Sequence, residues 1–245
     1  RGADMVEVDP RQTADGVFIL MHDSTLSRTT DQPLLFPGRD QVTDLTWAEV
    51  QQLTISDPFD RCTAANADDN PQRCRVPSLT QALDAARGEA LVMLDFKSGD
   101  PAAIGSQLAS ADATDFAILF DADLATLAAA RAQAPDLITV PRATDAASAR
   151  DLLASDHPAV LHADTGYLAE IQADALAGKA KLLVNIFVEV DFWLVFWRED
   201  GLDTSLAEGR DNLFEILDNG GRIVQTNLSS EVLDLVAEWR RQRGE

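Results

Sequence analysis

The chain has 245 residues, 46% hydrophobic and 25% charged, and its 41 Asp+Glu against 20 Lys+Arg give a formal charge of -21. That length can bury a large core, as one barrel or two small domains. The acidity disfavours nucleic acid and anionic membrane, yet a small phosphodiester remains possible where a bound cation and a basic residue reverse the local potential.

The opening Arg1-Gly2-Ala3-Asp4 carries neither Met nor an apolar leader and reads as the start of an excerpt from a longer protein. Met5–Val8 is the first short apolar run, of a length that suits a buried strand. Between Pro10 and Met21, Asp15-Gly16 separates two extended runs and predicts a tight hairpin that carries the chain to His22-Asp23. Residues 31–77 form a longer excursion, read as an insertion in a single domain spanning 1–245. It holds one amphipathic helix around Thr46–Leu53, opened by the capping box Thr46-x-x-Glu49. It also holds Cys62 and Cys74, which enclose a polar stretch without helical or strand period. A disulfide across that loop implies an oxidising compartment, periplasmic or extracellular; the alternative is two free thiols and leaves the cytoplasm open. With no His nearby, the pair does not make a zinc site.

Ser78-x-x-Gln81 starts the next helix, and Asp100-Pro101 the one after it. The strands predicted from here are Leu91–Phe96, Phe116–Phe120, Leu137–Val140, Ala159–Leu161, Lys181–Phe187 and Arg222–Gln225, and Ser229 or Ser230 opens a last helix. No run of about 18 apolar residues occurs, the most apolar stretch, Leu182 to Trp197, being interrupted by Asn185, Glu189 and Asp191. Strand and helix alternate, which implies an α/β fold with a mainly parallel sheet, doubly wound or closed as a barrel.

These apolar runs repeatedly finish in polar residues: Glu7/Asp9, Asp95/Lys97, Asp121, Arg142, His162/Asp164, Asn185 and Thr226/Asn227. In a parallel barrel such ends open onto one face, where active sites are built. Asp121, Asp164 and Asn227 read as helix caps or solvated loop residues, whereas Arg142 and His162 are candidates for substrate contact. Glu7 and Asp9, two apart on a strand, project to one face and can hold one hard cation. Asp95 and Lys97 repeat the spacing, adding a third carboxylate beside a positive charge. A carboxylate trio without Cys favours Mg²⁺ or Ca²⁺. The bland alternative is a salt-bridge network in which Lys97 neutralises Asp95, and it leaves Glu7 and Asp9 unpaired, which is costly without a cation. His22, at the end of the arm that starts at Asp9, can move a proton near neutral pH. His157, before a proline, reads as surface loop.

Gly2-Ala3-Asp4-Met5-Val6-Glu7-Val8-Asp9, then Thr13-Ala14-Asp15-Gly16-Val17, then Met21-His22-Asp23-Ser24-Thr25-Leu26-Ser27-Arg28-Thr29-Thr30 resemble the opening signature of the glycerophosphodiester phosphodiesterase family. Val76-Pro77-Ser78-Leu79, Leu94-Asp95-Phe96-Lys97 and Ile223-Val224-Gln225-Thr226-Asn227 extend the likeness. The resemblance implies a (β/α)8 TIM barrel that hydrolyses glycerophosphodiesters to glycerol 3-phosphate and an alcohol with a divalent metal. By position it implies Glu7, Asp9 and Asp95 as metal ligands, Lys97 as a phosphate contact and His22 as one of two acid/base histidines. The family's other histidine belongs to a His-Arg pair on a first strand, so that strand and its helix are expected upstream of Arg1. Asp95 stands where the family usually has Glu, Asn227 where many members have Asp, and the seventh-strand Trp-Thr-Val-Asn motif survives only as Leu183-Val184-Asn185. Three alternatives stay open: a phospholipase-like relative with another alcohol, a catalytically inactive barrel that binds a ligand or partner protein, and a buried charge network in some other α/β enzyme.

Overall fold

The computed structural model describes residues 3–56, 74–186 and 203–244. Contacts gather into two compact units, Val6–Leu119 with Ala125–Leu137, and Ile138–Glu245 with Arg1–Met5 and Phe120–Leu124.

In the first unit β1 (Met5–Val8), β4 (Leu91–Asp95) and β5 (Ala117–Asp121) lie side by side, in that order. The apolar runs of β4 and β5 are nearly continuous because successive residues on both faces, Val92, Met93 and Leu94 and then Ala117, Ile118 and Leu119, are buried. β2 (Pro10–Gln12) and β3 (Phe18–Leu20) pair antiparallel, with Arg11 opposite Ile19. The predicted hairpin is therefore present. Its turn spans five residues: the Thr13 amide donates to Val17 O at 2.9 Å, the Gly16 amide to Thr13 O at 3.0 Å, and Gly16 takes φ +86°, which glycine adopts without strain.

The excursion after the hairpin contains α1 (Gln32–Leu35), a 3₁₀ turn at Val42–Asp44 and α2 (Trp47–Val50). The helix expected over Thr46–Leu53 is thus one turn long. Its capping box forms, with the Thr46 amide donating to Glu49 Oε2 at 2.9 Å. After Val50 the Gln52 and Leu53 amides reach back three residues instead of four, which tightens and ends the helix. Val42, Leu45, Val50 and Leu53 pack with Ile19, Met21, Leu26 and Val76, so the excursion shares a core with the hairpin arm. Cys74 is disulfide-bonded; Cys62, the only other cysteine of the sequence, and residues 57–73 as a whole lie outside the described residues.

α3 (Leu79–Ala86) starts at the Ser78 box, where Ser78 Oγ accepts from the Gln81 amide at 3.2 Å and Gln81 Oε1 from the Ser78 amide at 2.9 Å. α4 (Pro101–Ser110) starts at Asp100, whose carboxylate accepts from the Ala102 amide at 2.9 Å. Together with α5 (Leu124–Gln133) they cover the strands over a core that includes Phe18, Leu83, Leu94, Leu108, Leu119 and Leu127. β4 ends one residue earlier than expected, because Phe96 turns away to meet the Phe18 ring, centroids 6.2 Å apart.

The second unit holds β6 (Ile138–Pro141), α6 (Ala146–Ser155), β7 (Val160–His162), α7 (Leu168–Gly178), β8 (Lys181–Asn185), α8 (Asp203–Asp218), β9 (Gly221–Gln225) and α9 (Ser229–Arg243). β7, β8 and β9 are parallel in that order, and Arg142 bridges to His162 in parallel beyond β6. Its core runs from Ala143 to Leu235, with Leu161, Ile171, Val184 and Leu213 fully buried. Several expected boundaries shift: β6 lies one residue later than the expected Leu137–Val140, and β9 starts one residue earlier, at Gly221. β7 includes His162 rather than stopping before it, and α9 takes in both Ser229 and Ser230, with Leu228 at the N-cap. The run expected to reach Phe187 ends as a strand at Asn185, and Phe187 lies outside the described residues. No helix among the described residues is long and apolar enough to cross a membrane.

Candidate active site

Glu7 on β1, Asp9 just beyond it and Asp95 at the end of β4 bring one carboxylate oxygen each to within 4.8 Å of one another. The period-2 spacing on adjacent strands creates this convergence. Lys97 Nζ bonds Asp95 Oδ2 at 2.6 Å and Asp9 Oδ1 at 3.2 Å. The sequence argument had Lys97 neutralising Asp95 alone and leaving Asp9 unpaired; in the fold one ammonium bridges both, because the Lys97 amide donates to Pro10 O at 3.2 Å and draws that loop against Asp9. Burial opposes the ammonium, but the bonds and charges of Asp95, then Asp9, outweigh it and hold Lys97 above its ordinary value. Among the described residues Glu7 has no such bridge. Burial, and then the charges of Asp9 and Asp95, push its carboxyl up to about 7.

The strand arm delivers His22 beside this cluster. The Met21 amide donates to Asp9 O at 2.8 Å, and Glu7, Asp9, Met21, His22, Arg28 and Thr29 line one cleft of about 290 Å³. His22 Nδ1 lies 3.0 Å from Asp23 Oδ1, and Arg28 Nε donates to the other oxygen, Oδ2. Those two bonds, Arg28's first, hold the Asp23 carboxyl well below the usual carboxylate range. When Asp23 is ionised it accepts from a proton-bearing Nδ1, and the acceptor lone pair of a neutral His22 is then on Nε2.

Arg11 was missed in the sequence. Its Nε donates to Met21 O and His22 O at 3.1 Å each, Nη2 to His22 O at 2.8 Å, and Nη1 to Ser98 Oγ at 3.3 Å. The signal was its place two residues after Asp9, which continues the Glu7-Asp9 period.

Arg142 and His162 belong to the second unit. Arg142 Nη2 contacts Asp164 Oδ1 at 3.4 Å, and the His162 ring is buried against Phe120, centroids 5.1 Å apart. Asp121 accepts from the Asp123 amide at 2.8 Å, a local turn role as expected.

The Glycerophosphoryl diester phosphodiesterase family matches residues 1–191. The chain belongs to that family. A glycerophosphodiester phosphodiesterase of Bacillus subtilis is 33% identical over 98 residues, 40% of this chain and 31% of that protein. Glycerophosphodiester phosphodiesterase 1 of Bos taurus is 46% identical over 52 residues, 21% of this chain and 14% of that protein. The matched segments thus span under a third of either relative's length. A glycerophosphoryl diester phosphodiesterase from Parabacteroides distasonis superposes with a TM-score of 0.72 at 21% identity, covering 96% of this chain and 75% of that one. An Oleispira antarctica phosphodiesterase, solved in complex with its product sn-glycerol-3-phosphate, gives a TM-score of 0.67 at 17% identity over 96% and 86%. The fold is the (β/α)8 barrel of this family.

Proposed function

We propose that this domain, 1–245, hydrolyses glycerophosphodiesters to glycerol 3-phosphate and an alcohol, with a divalent cation held by Glu7, Asp9 and Asp95. The observation that carries the reading is the meeting of three carboxylates, two of which, Glu7 and Asp9, line one cleft with His22. The residues fit a hard cation: the donors are all oxygen, and Glu7 sits in a field that resists its ionisation until a positive charge arrives. Mg²⁺ or Ca²⁺ suits such a set, and when bound it polarises phosphoryl oxygens and neutralises developing charge.

His22 Nε2, with Nδ1 on Asp23, takes a proton from the attacking oxygen or returns one to the leaving alcohol. Lys97 offers its ammonium to a phosphoryl oxygen at the price of loosening its bridge to Asp9. Arg142, just past β6, and His162, at the end of β7, are further proposed substrate contacts, on their strand-end positions. The disulfide at Cys74 supports an oxidising compartment such as a periplasm or the cell exterior.

Residues 1–245 contain no His-Arg pair, so turnover is assayed on the full-length gene product. His22→Ala is expected to lower glycerophosphocholine hydrolysis about 10²–10⁴-fold with calorimetric Mg²⁺ and Ca²⁺ affinity unchanged. Wild-type turnover in that variant, or metal binding indifferent to Glu7 and Asp9, defeats the reading.

A further inference from the structure

We infer that Arg11 is a positioning residue that aims His22, and that it does so by clamping the backbone carbonyls of Met21 and His22. The inference rests on the phosphodiesterase reading above for its kinetic arm. The β2–β3 ladder runs from Pro10↔Leu20 to Gln12↔Phe18 and is continued by one backbone bond, from the Met21 amide to Asp9 O at 2.8 Å; His22 follows with no strand pairing of its own among the described residues. The His22 side chain is 71% exposed and gains little orientation from packing. Its ring direction therefore depends on the Asp23 contact and on how its backbone is held. Three of the four bonds from the Arg11 guanidinium go to those two carbonyls.

The fourth bond, from Nη1 to Ser98 Oγ, reaches the residue after Lys97. Backbone bonds run alongside it: the Gln12 amide donates to Ser98 O at 3.2 Å, and Arg11 bridges in parallel to Ser98. One planar fork thus registers the proton-transfer arm against the loop that carries the phosphate-binding cation. A lysine has one donor point on a flexible stem and cannot reproduce that fork. The acceptors are main-chain oxygens, so the clamp is insensitive to which side chains stand at positions 21 and 22.

The test is a double-mutant cycle on the full-length protein, Arg11→Ala with His22→Ala, read with Mg²⁺ and glycerophosphocholine. Arg11→Ala is expected to lower kcat about 10–100-fold while KM and Mg²⁺ affinity stay within about twofold, and added guanidinium should restore part of the rate. In the His22→Ala background the same change should cost nothing further, because the residue acts through the imidazole. A second arm reads imidazole ¹⁵N shifts: Arg11→Ala should move the His22 signals and leave those of His157 and His162 in place. That arm reports on positioning even if the wild type hydrolyses no glycerophosphodiester, in which case the functional reading fails and the clamp stands. Additive losses, an equal loss of metal affinity, or unmoved His22 signals overturn the clamp. Arg11→Lys serves if the alanine variant does not fold, with the same signs expected; if neither folds, Arg11 is a structural residue and the inference fails.

Discussion

Replacing Glu7 by Gln should stabilise the metal-free protein at alkaline pH and weaken the metal-bound one. Burial and the neighbouring carboxylates raise the Glu7 carboxyl from its ordinary 4.5 to about 7. A carboxyl whose folded value lies above its unfolded one binds protons more tightly in the folded state, so stability is full below about 4.5 and falls as pH rises toward 7. Each tenfold change in proton affinity is worth about 1.4 kcal/mol, which makes the displacement about 3 kcal/mol in a dry site. Glu7 is only partly buried, and solvent screening brings the loss to about 1–2 kcal/mol. Glu7→Gln keeps the shape and removes the charge, so in excess chelator at pH 8 it should raise Tm by about 2–8 °C, at roughly 2–4 °C per kcal/mol for a chain this size. At pH 4 the two proteins should melt together. In saturating Mg²⁺ or Ca²⁺ the order should reverse, because the wild type then gains binding energy that the variant, one ligand short, cannot match. Thermal unfolding from pH 4 to 8, with chelator and with metal, checks this. Parallel curves across the whole range, or a variant less stable than wild type at pH 8 without metal, would refute the account of Glu7.

Asp23→Asn removes the ionised acceptor that holds His22 Nδ1 and binds Arg28, and should lower kcat about 10–100-fold with Mg²⁺ affinity unchanged by calorimetry. Gly99 has φ +133°, and a Cβ there would lie 2.8 Å from both Gln12 Cβ and Phe18 Cε1, so Gly99→Ala should cost about 1–3 kcal/mol in urea unfolding. A cost below about 0.5 kcal/mol would show that the loop carrying Lys97 yields easily.

The carboxylate site was legible because its logic is local. Glu7 and Asp9 share a face through strand period alone, and Asp95 with Lys97 repeats that spacing, so the only tertiary assumption needed was that two strands are adjacent, as β1 and β4 are. The Ser78 and Asp100 caps were legible for the same reason: donor and acceptor lie within three residues. What escaped depends on long-range contact. The Lys97 bridge to Asp9 spans 88 positions, and the Arg11 bond to Ser98 spans 87. Arg11 and Lys97 each sit on a strand period, but no period or motif joins either of them to its distant partner. The helix expected over Thr46–Leu53 shows the converse failure, a correct local start whose extent was decided by how Leu53 packs into the core under the hairpin.

Charge shows how far composition can mislead about a site. A chain at -21 repels phosphodiesters on average, yet the residues that meet at this cleft include Arg28 on its wall, with Lys97 and Arg11 bonded to the groups around it. Those cations do not stand as a positive patch. Lys97 is engaged by Asp9 and Asp95, Arg28 by Asp23, and Arg11 by carbonyls. A cation entering among Glu7, Asp9 and Asp95 competes with Lys97 for the same oxygens, and so both neutralises the trio and frees an ammonium to turn toward substrate. On the proposed reading metal and substrate should bind cooperatively, because one supplies the charge that releases the other's partner. Metal affinity measured with and without glycerol 3-phosphate should therefore differ in the wild type, with the ligand tightening the metal and the metal tightening the ligand by the same factor, and the coupling should weaken in Lys97→Met, which has no ammonium to release.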